Sequence, residues 1–134
     1  MSELTQRVRA GVDAFNRGDV EAMVSMCTAD VEIKRIDGSP DAGHAVRGRE
    51  ATAEWLKPVV FADQHLEVLE IVEGVDVAAA RAIFTATGRG SGVEINLEAY
   101  IVYRMDGDLV RRIENWRRRE DAERAAGLRF SVPT

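Results

Sequence analysis

Residues 111 to 120, RRIENWRRRE, crowd five arginines around Glu114 and Trp116. Two chemistries fit such a stretch. Arginines gathered on one surface neutralise phosphates and grip polyanions. A lone carboxylate beside an indole in an apolar setting has its charged form desolvated, which lifts its pKa toward the range of a proton carrier. Strand periodicity separates the two. With a period of two, Arg112, Glu114, Trp116 and Arg118 share one side, and Arg111, Ile113, Asn115, Arg117 and Arg119 the other. The arginines then form no single basic surface, and no aromatic stacking platform accompanies them. The whole chain, moreover, carries a net charge of −5, which disfavours generic polyanion binding. No nucleic-acid partner is expected.

Other reactive residues are sparse. His44 lies in a glycine-containing loop and is a candidate proton carrier. His65 opens a strand and reads as a solvated side chain. No His, Asp or Glu grouping has metal-ligand spacing, and the single cysteine, Cys27, excludes both an intrachain disulfide and a thiolate zinc cluster. Cys27 sits in the apolar run MVSMC and reads as a small buried filler. GRGSG (88–92) joins two strands rather than a strand and a helix, so its glycines serve a turn and not a phosphate. No metal or cofactor is expected.

The elements that must position these residues follow from periodicity. Leu4, Val8, Val12 and Phe15 form one apolar stripe on a helix from Glu3 to Arg17. Gly18 and Asp19 then make a helix–helix corner, a left-handed C-terminal residue followed by an N-cap. A short helix from Val20 to about Cys27 precedes a strand at 31–36. Residues 37–48, with Gly38, Pro40, Gly43 and Gly48, read as a loop. A third helix runs from Arg49 to Lys57, with Ala51, Trp55 and Leu56 on its buried side, and Pro58 weakens any continuation. Four strands follow, near 65–73, 76–87, 93–105 and 109–118, with a tight Asp106-Gly107 hairpin before the last. A short helix, 119–128, closes at Gly127.

Helices followed by an antiparallel meander indicate an α+β fold, with helices on one face of a curved sheet. With 134 residues, 46% of them apolar, one domain spanning 1–134 is expected. MSELTQRVRA has neither a basic n-region nor an apolar core, so no signal peptide is read. No apolar run approaches the ~20 residues of a membrane span. A cytoplasmic protein with no membrane partner is the expectation.

"AFNRGD" at the end of the first helix, "ADVEI" leading the first strand, "VRGRE" opening the third helix and the hairpin "DGDLVRRIENW" carry a resemblance. The chain resembles SnoaL-like proteins of the nuclear transport factor 2 superfamily, a group that includes ketosteroid isomerases, epoxide hydrolases and polyketide cyclases. The resemblance covers residues from about 5 to 128. It implies a cone-shaped, curved antiparallel sheet wrapped around the N-terminal helices, and a homodimer packed through that sheet.

Its implications for chemistry depend on the residues present. Isomerase positions fall on Gly11, on Ile33, and near Tyr100 or Ile101, so a steroid isomerase is not expected. The epoxide hydrolase pattern places its arginine at Arg81 and one acid at Glu114, but Ile83 stands where the second acid belongs. The cyclases imply a single last-strand carboxylate as acid/base, again Glu114. The resemblance also assigns the Glu114 and Trp116 side of the strand to the cavity, walled by Phe15, Ile33, Trp55, Ile83, Tyr100, Ile101 and Trp116. The sharper expectation is therefore an enzyme acting on a small hydrophobic carbonyl, polyketide-like or epoxide ligand through Glu114, Arg81 and His44. The alternative is a non-catalytic ligand-binding or dimerisation domain, with Glu114 in a buried ion pair with Arg81 or a neighbouring strand arginine.

Overall fold

In the computed structural model, which describes residues 2–37, 43–57 and 61–131, the N-terminal stripe forms helix α1 (Glu3–Arg17). Ser2 caps it by accepting from the Thr5 N–H, and Gly18 ends it at φ 71°. Asp19 accepts from the Ala22 N–H and starts α2 (Val20–Ser25), so the corner read from NRGD is present. Then come β1 (Cys27–Lys34), β2 (Val46–Arg47) and α3 (Arg49–Leu56). The meander is β3 (Phe61–Gly74), β4 (Val77–Gly88), β5 (Glu94–Asp106) and β6 (Leu109–Trp116), and α4 (Arg119–Ala126) closes at Gly127. No described helix is long and apolar enough to cross a membrane.

The strands form one six-stranded sheet in the order β2-β1-β6-β5-β4-β3. All pairings are antiparallel except β1 with β6, which is parallel. The sheet curves without closing, and α1, α2 and α3 lie in the N-terminal half while α4 follows the last strand, so the expected α+β architecture holds.

Local differences have physical reasons. The first strand starts at Cys27, four residues earlier than alternation indicates, because a register irregularity between Cys27 and Glu32 hides its period. β2 was read as loop; two residues carry no detectable period, and their strand identity comes from pairing with Glu32 and Ile33. On α3 the buried residue is Thr52, while Ala51 is exposed and Trp55 is 40% exposed. Pro58 lies outside the described residues. β6 ends at Trp116, so Arg117 and Arg118 stand beyond the strand.

Each sheet face has its own core. On the face against α1, Val8 packs with Ala78, Ala80, Ile101 and Tyr103. On the opposite, outer face, Ala79, Tyr100 and Val102 pack with Ala122 of α4 and with Phe130. Runs of alanine at 78–80 and at 82 let β4 be fully buried from both sides. A third cluster, Cys27, Val31, Ile33 and Val46, ties β1 to β2.

Asn16 fixes α1 to the sheet. Its Nδ2 donates to the Leu66 carbonyl at 3.0 Å, and its Oδ1 accepts from the Leu66 N–H at 2.8 Å. One side chain thus satisfies both backbone groups that edge strand β3 turns away from β4 at that residue. Asn16→Ala removes both bonds and is expected to cost about 2 kcal/mol, at ~1 kcal/mol for each bond. Urea unfolding of the variant checks this; a loss within error of zero would mean that α1 docks by apolar contact alone.

Candidate functional site

Between α1, α2, α3 and the inner face of the sheet lies a cavity of about 130 Å³. The register explains its walls. Ala78, Tyr103, Ile113, Ile33 and Val46 follow one another across five strands, from β4 to β2, and so share the inner face. Tyr103, Ile113, Ile33, Ile101 and Asn115 line the cavity from the sheet. Val8, Gly11, Val12 and Phe15 line it from α1, and Thr52, Trp55 and Leu56 from α3.

Four of the expected pocket residues, Phe15, Ile33, Trp55 and Ile101, are in this lining. Ile83, Tyr100 and Trp116 are not. Tyr100 and Trp116 belong to the outer core with α4 and Phe130. Ile83 shares the outer parity with Ala79 and Arg81 on β4. The side assigned to Glu114 and Trp116 is therefore inverted: Ile113 and Asn115 face the cavity, and Arg112, Glu114 and Trp116 face away.

The reason lies in the cost of buried charge. Glu114 is only 5% exposed, and a carboxylate there needs partners. The outer face supplies them. Glu114 Oε2 accepts from Arg104 Nε at 2.8 Å and from Arg112 Nε at 2.9 Å. Arg112 Nη1 continues to Glu32 Oε2 at 2.8 Å, and Arg104 Nη2 to the Ala125 carbonyl of α4 at 2.7 Å. Burial alone would raise the Glu114 pKa. Hydrogen bonds from Arg104 and Arg112, with their charges, outweigh it and hold the carboxyl below its ordinary value. Glu114 is thus an ionised member of a cross-strand network, paired with neighbouring strand arginines.

The other two candidate acid/base residues lie elsewhere. Arg81 is buried on the outer face, 3.6 Å from Glu98 Oε1, and Tyr100 Oη donates to Glu98 Oε2 at 2.6 Å. His44 is exposed just before β2 and does not line the cavity. The geometry does not bring Glu114, Arg81 and His44 together.

What the cavity does hold is neutral. Among the described residues no carboxylate and no imidazole lines it. Arg7 reaches its rim but is paired with Glu3 at 2.5 Å and Asp108 at 3.2 Å. Burial pushes the Cys27 thiol up, Arg49 partly opposing, and Sγ donates to the Met23 carbonyl at 3.5 Å. Burial also pushes the Tyr103 phenol above its ordinary range, so its hydroxyl remains a donor. The Thr52 hydroxyl is buried without a hydrogen-bond partner among the described residues. Neither Tyr103 nor Thr52 stood out in the sequence. Tyr103 sits in a run buried on both faces, residues 99–103, where alternation says nothing of direction. No described group of residues could hold a metal ion.

The comparisons with known proteins agree with this architecture. A SnoaL-like domain model matches residues 8–113, and the chain belongs to that family. A comparison with curated protein sequences returned no match. Among solved structures, a nuclear transport factor 2-like protein of unknown function from Burkholderia pseudomallei superposes with a TM-score of 0.78 at 21% identity, covering 94% of this chain and 98% of that one. A putative polyketide cyclase from Xanthomonas campestris gives 0.75 at 20% identity, covering 89% and 93%. A Mycobacterium tuberculosis protein in complex with estradiol-17beta-hemisuccinate gives 0.74 at 16% identity, covering 86% and 93%. At these identities the likeness is one of fold.

The network around Glu114 has a defined pH signature. A carboxyl whose folded pKa is depressed stabilises fully above its unfolded value, near 4.5, and that contribution is lost as pH falls through the folded value. Glu114→Gln is expected to cost about 2 kcal/mol at pH 7, below the usual loss for a buried pair because both arginines keep some solvent contact. The gap between variant and wild type is expected to narrow below pH 4.5. Urea unfolding at pH 7 and at pH 3.5 measures it; a gap unchanged between the two would remove the charge from the account.

Proposed function

We propose that this chain binds a small, neutral, mostly apolar molecule in the cavity between α1, α3 and the inner sheet face. One observation carries the reading. Apart from Arg7, paired with Glu3 and Asp108 at the rim, the lining is apolar side chains with a few uncharged polar groups, while the ionised carboxylate of the last strand points to the other face. Such a concave apolar site with few polar groups is the usual form of a small-molecule pocket. The neighbours support a largely apolar ligand: one is a putative polyketide cyclase, another was solved with a steroid hemisuccinate.

This reading gives Glu114 no proton-transfer role. A general base must lie within hydrogen-bond reach of the proton it takes, or one water away, and Glu114 lies across the sheet from the cavity. Stabilising the sheet is the role its contacts support.

Gly11 provides a direct test. A Cβ built there meets only Met26 Sδ, at 3.8 Å, so a larger side chain has room to enter the cavity. Replacing a mid-helix glycine also favours the helix by up to ~1 kcal/mol. Wild-type protein is expected to bind toluene saturably, with a dissociation constant on the order of 1 mM or tighter, shifting the NMR methyl signals of Val8, Ile33 and Ile113. Gly11→Leu is expected to abolish those shifts while melting no lower than wild type. Absence of toluene binding by the wild type, or undiminished binding by the variant, would overturn the reading.

A further inference from the structure

We propose that the cavity selects a neutral single-ring aromatic molecule bearing one hydroxyl or carbonyl oxygen, held by hydrogen bonds from Tyr103 Oη and Thr52 Oγ1. This deepens the reading above and rests on it.

Size is the first argument. At about 130 Å³ the cavity is close to the ~150 Å³ of an engineered apolar cavity that binds benzene. It accommodates one ring rather than a fused system.

Sulfur is the second. The chain has four methionines and one cysteine, and Met23, Met26, Met105 and Cys27 all line this cavity. Thioethers are polarisable, adapt their shape, and make favourable contacts with aromatic ring edges. Their concentration at one site favours an aromatic guest over an aliphatic one of the same volume.

The third argument is polar. Tyr103 is 9% exposed and Thr52 only 2%. No described residue hydrogen-bonds to the Thr52 hydroxyl, and the Tyr103 phenol is held protonated by its burial. They enter from different walls, Tyr103 from β5 and Thr52 from α3. Buried hydroxyls are ordinarily bonded, and a guest oxygen between these walls gives Thr52 the partner it lacks and Tyr103 Oη an acceptor. Tyr103 donates to it; Thr52 both donates and accepts, so a ligand hydroxyl or a ligand carbonyl is satisfied. A carboxylate guest is disfavoured, because Arg7 is already paired with Glu3 and Asp108 and no other cation lines the cavity among the described residues.

Phenol and toluene differ only by a hydroxyl in place of a methyl group, and titrating the full chain with each separates the two levels of the claim. A hydroxyl buried without a partner favours toluene by about tenfold or more. The inference expects phenol to bind at least as tightly as toluene, and benzoate at pH 7 not to bind. Tyr103→Phe is expected to weaken phenol about fivefold to tenfold and Thr52→Val about threefold, both leaving toluene within twofold of wild type. Circular dichroism confirms folding, and should Tyr103→Phe fail to fold, Thr52→Val decides on the same comparison. Toluene bound tenfold tighter than phenol, variants that weaken both ligands equally, or benzoate bound as tightly as phenol would overturn the inference and leave the apolar-cavity reading standing. Failure of both phenol and toluene to bind would overturn that reading as well.

Discussion

The parallel seam between β1 and β6 holds this fold together. Parallel neighbours need a long connection, and here it contains β2, α3 and the rest of the meander. The seam therefore joins the helical N-terminal half to the sheet built by the last half of the chain. Its register pairs Ile33 with Ile113 and Lys34 with Glu114. Side chains clamp it as well as backbone. Asn115 Nδ2 donates to the Lys34 carbonyl at 2.9 Å, and Lys34 Nζ donates to the Asn115 carbonyl at 2.9 Å. Arg112 spans the two strands by binding Glu32 and Glu114 together. A slip of one residue would turn every side chain of β6 to the opposite face.

The seam also settles the distribution of charge. Ile33 and Ile113 are turned toward α1, so their neighbours Lys34, Arg112 and Glu114 must lie outside. There α4 supplies a carbonyl, Trp116 offers its ring to Lys34 Nζ at 3.8 Å from the centroid, and the carboxylates and guanidinium groups satisfy one another. An ionic outer face and an uncharged inner cavity are two consequences of one register. The same network that makes Glu114 a structural anion leaves the cavity without a carboxylate.

Much of this was legible in the sequence. The stripe Leu4, Val8, Val12, Phe15 and the turn at Gly18 located α1 to the residue, because an amphipathic helix with a capped end carries both signals locally. The meander was legible to within a few residues for the same reason. The facing of β6 was not. Alternation divides RRIENW into two sets, yet each set holds one apolar residue, Ile113 or Trp116, beside polar ones, so hydrophobicity cannot choose between them. The choice was made by tertiary partners on other strands, Arg104 for Glu114, Glu32 for Arg112 and Lys34 for Trp116. The resemblance assigns the opposite side, while in this chain Arg104 and Arg112 hold Glu114 on the outer face. β2 was illegible because two residues have no period, and Thr52 because a threonine in a short helix gives no sign of burial.

The Thr52 hydroxyl is a buried polar group left without a partner among the described residues, as Arg81 Nε and Trp116 Nε1 are on the outer face. Valine at 52 would keep nearly the same volume and leave no hydroxyl unmet there, a difference of about 1–3 kcal/mol. That is a substantial fraction of a domain stability of ~5–15 kcal/mol. Across the sheet, Glu114, Arg104 and Arg112 satisfy one another at the centre of the ionic network. On the cavity walls the unmet hydroxyl of Thr52 stands beside three methionines and a cysteine. Local rules of folding are most often broken where a site is kept ready for a partner, and an oxygen-bearing ring satisfies that hydroxyl without disturbing the register that built the cavity around it.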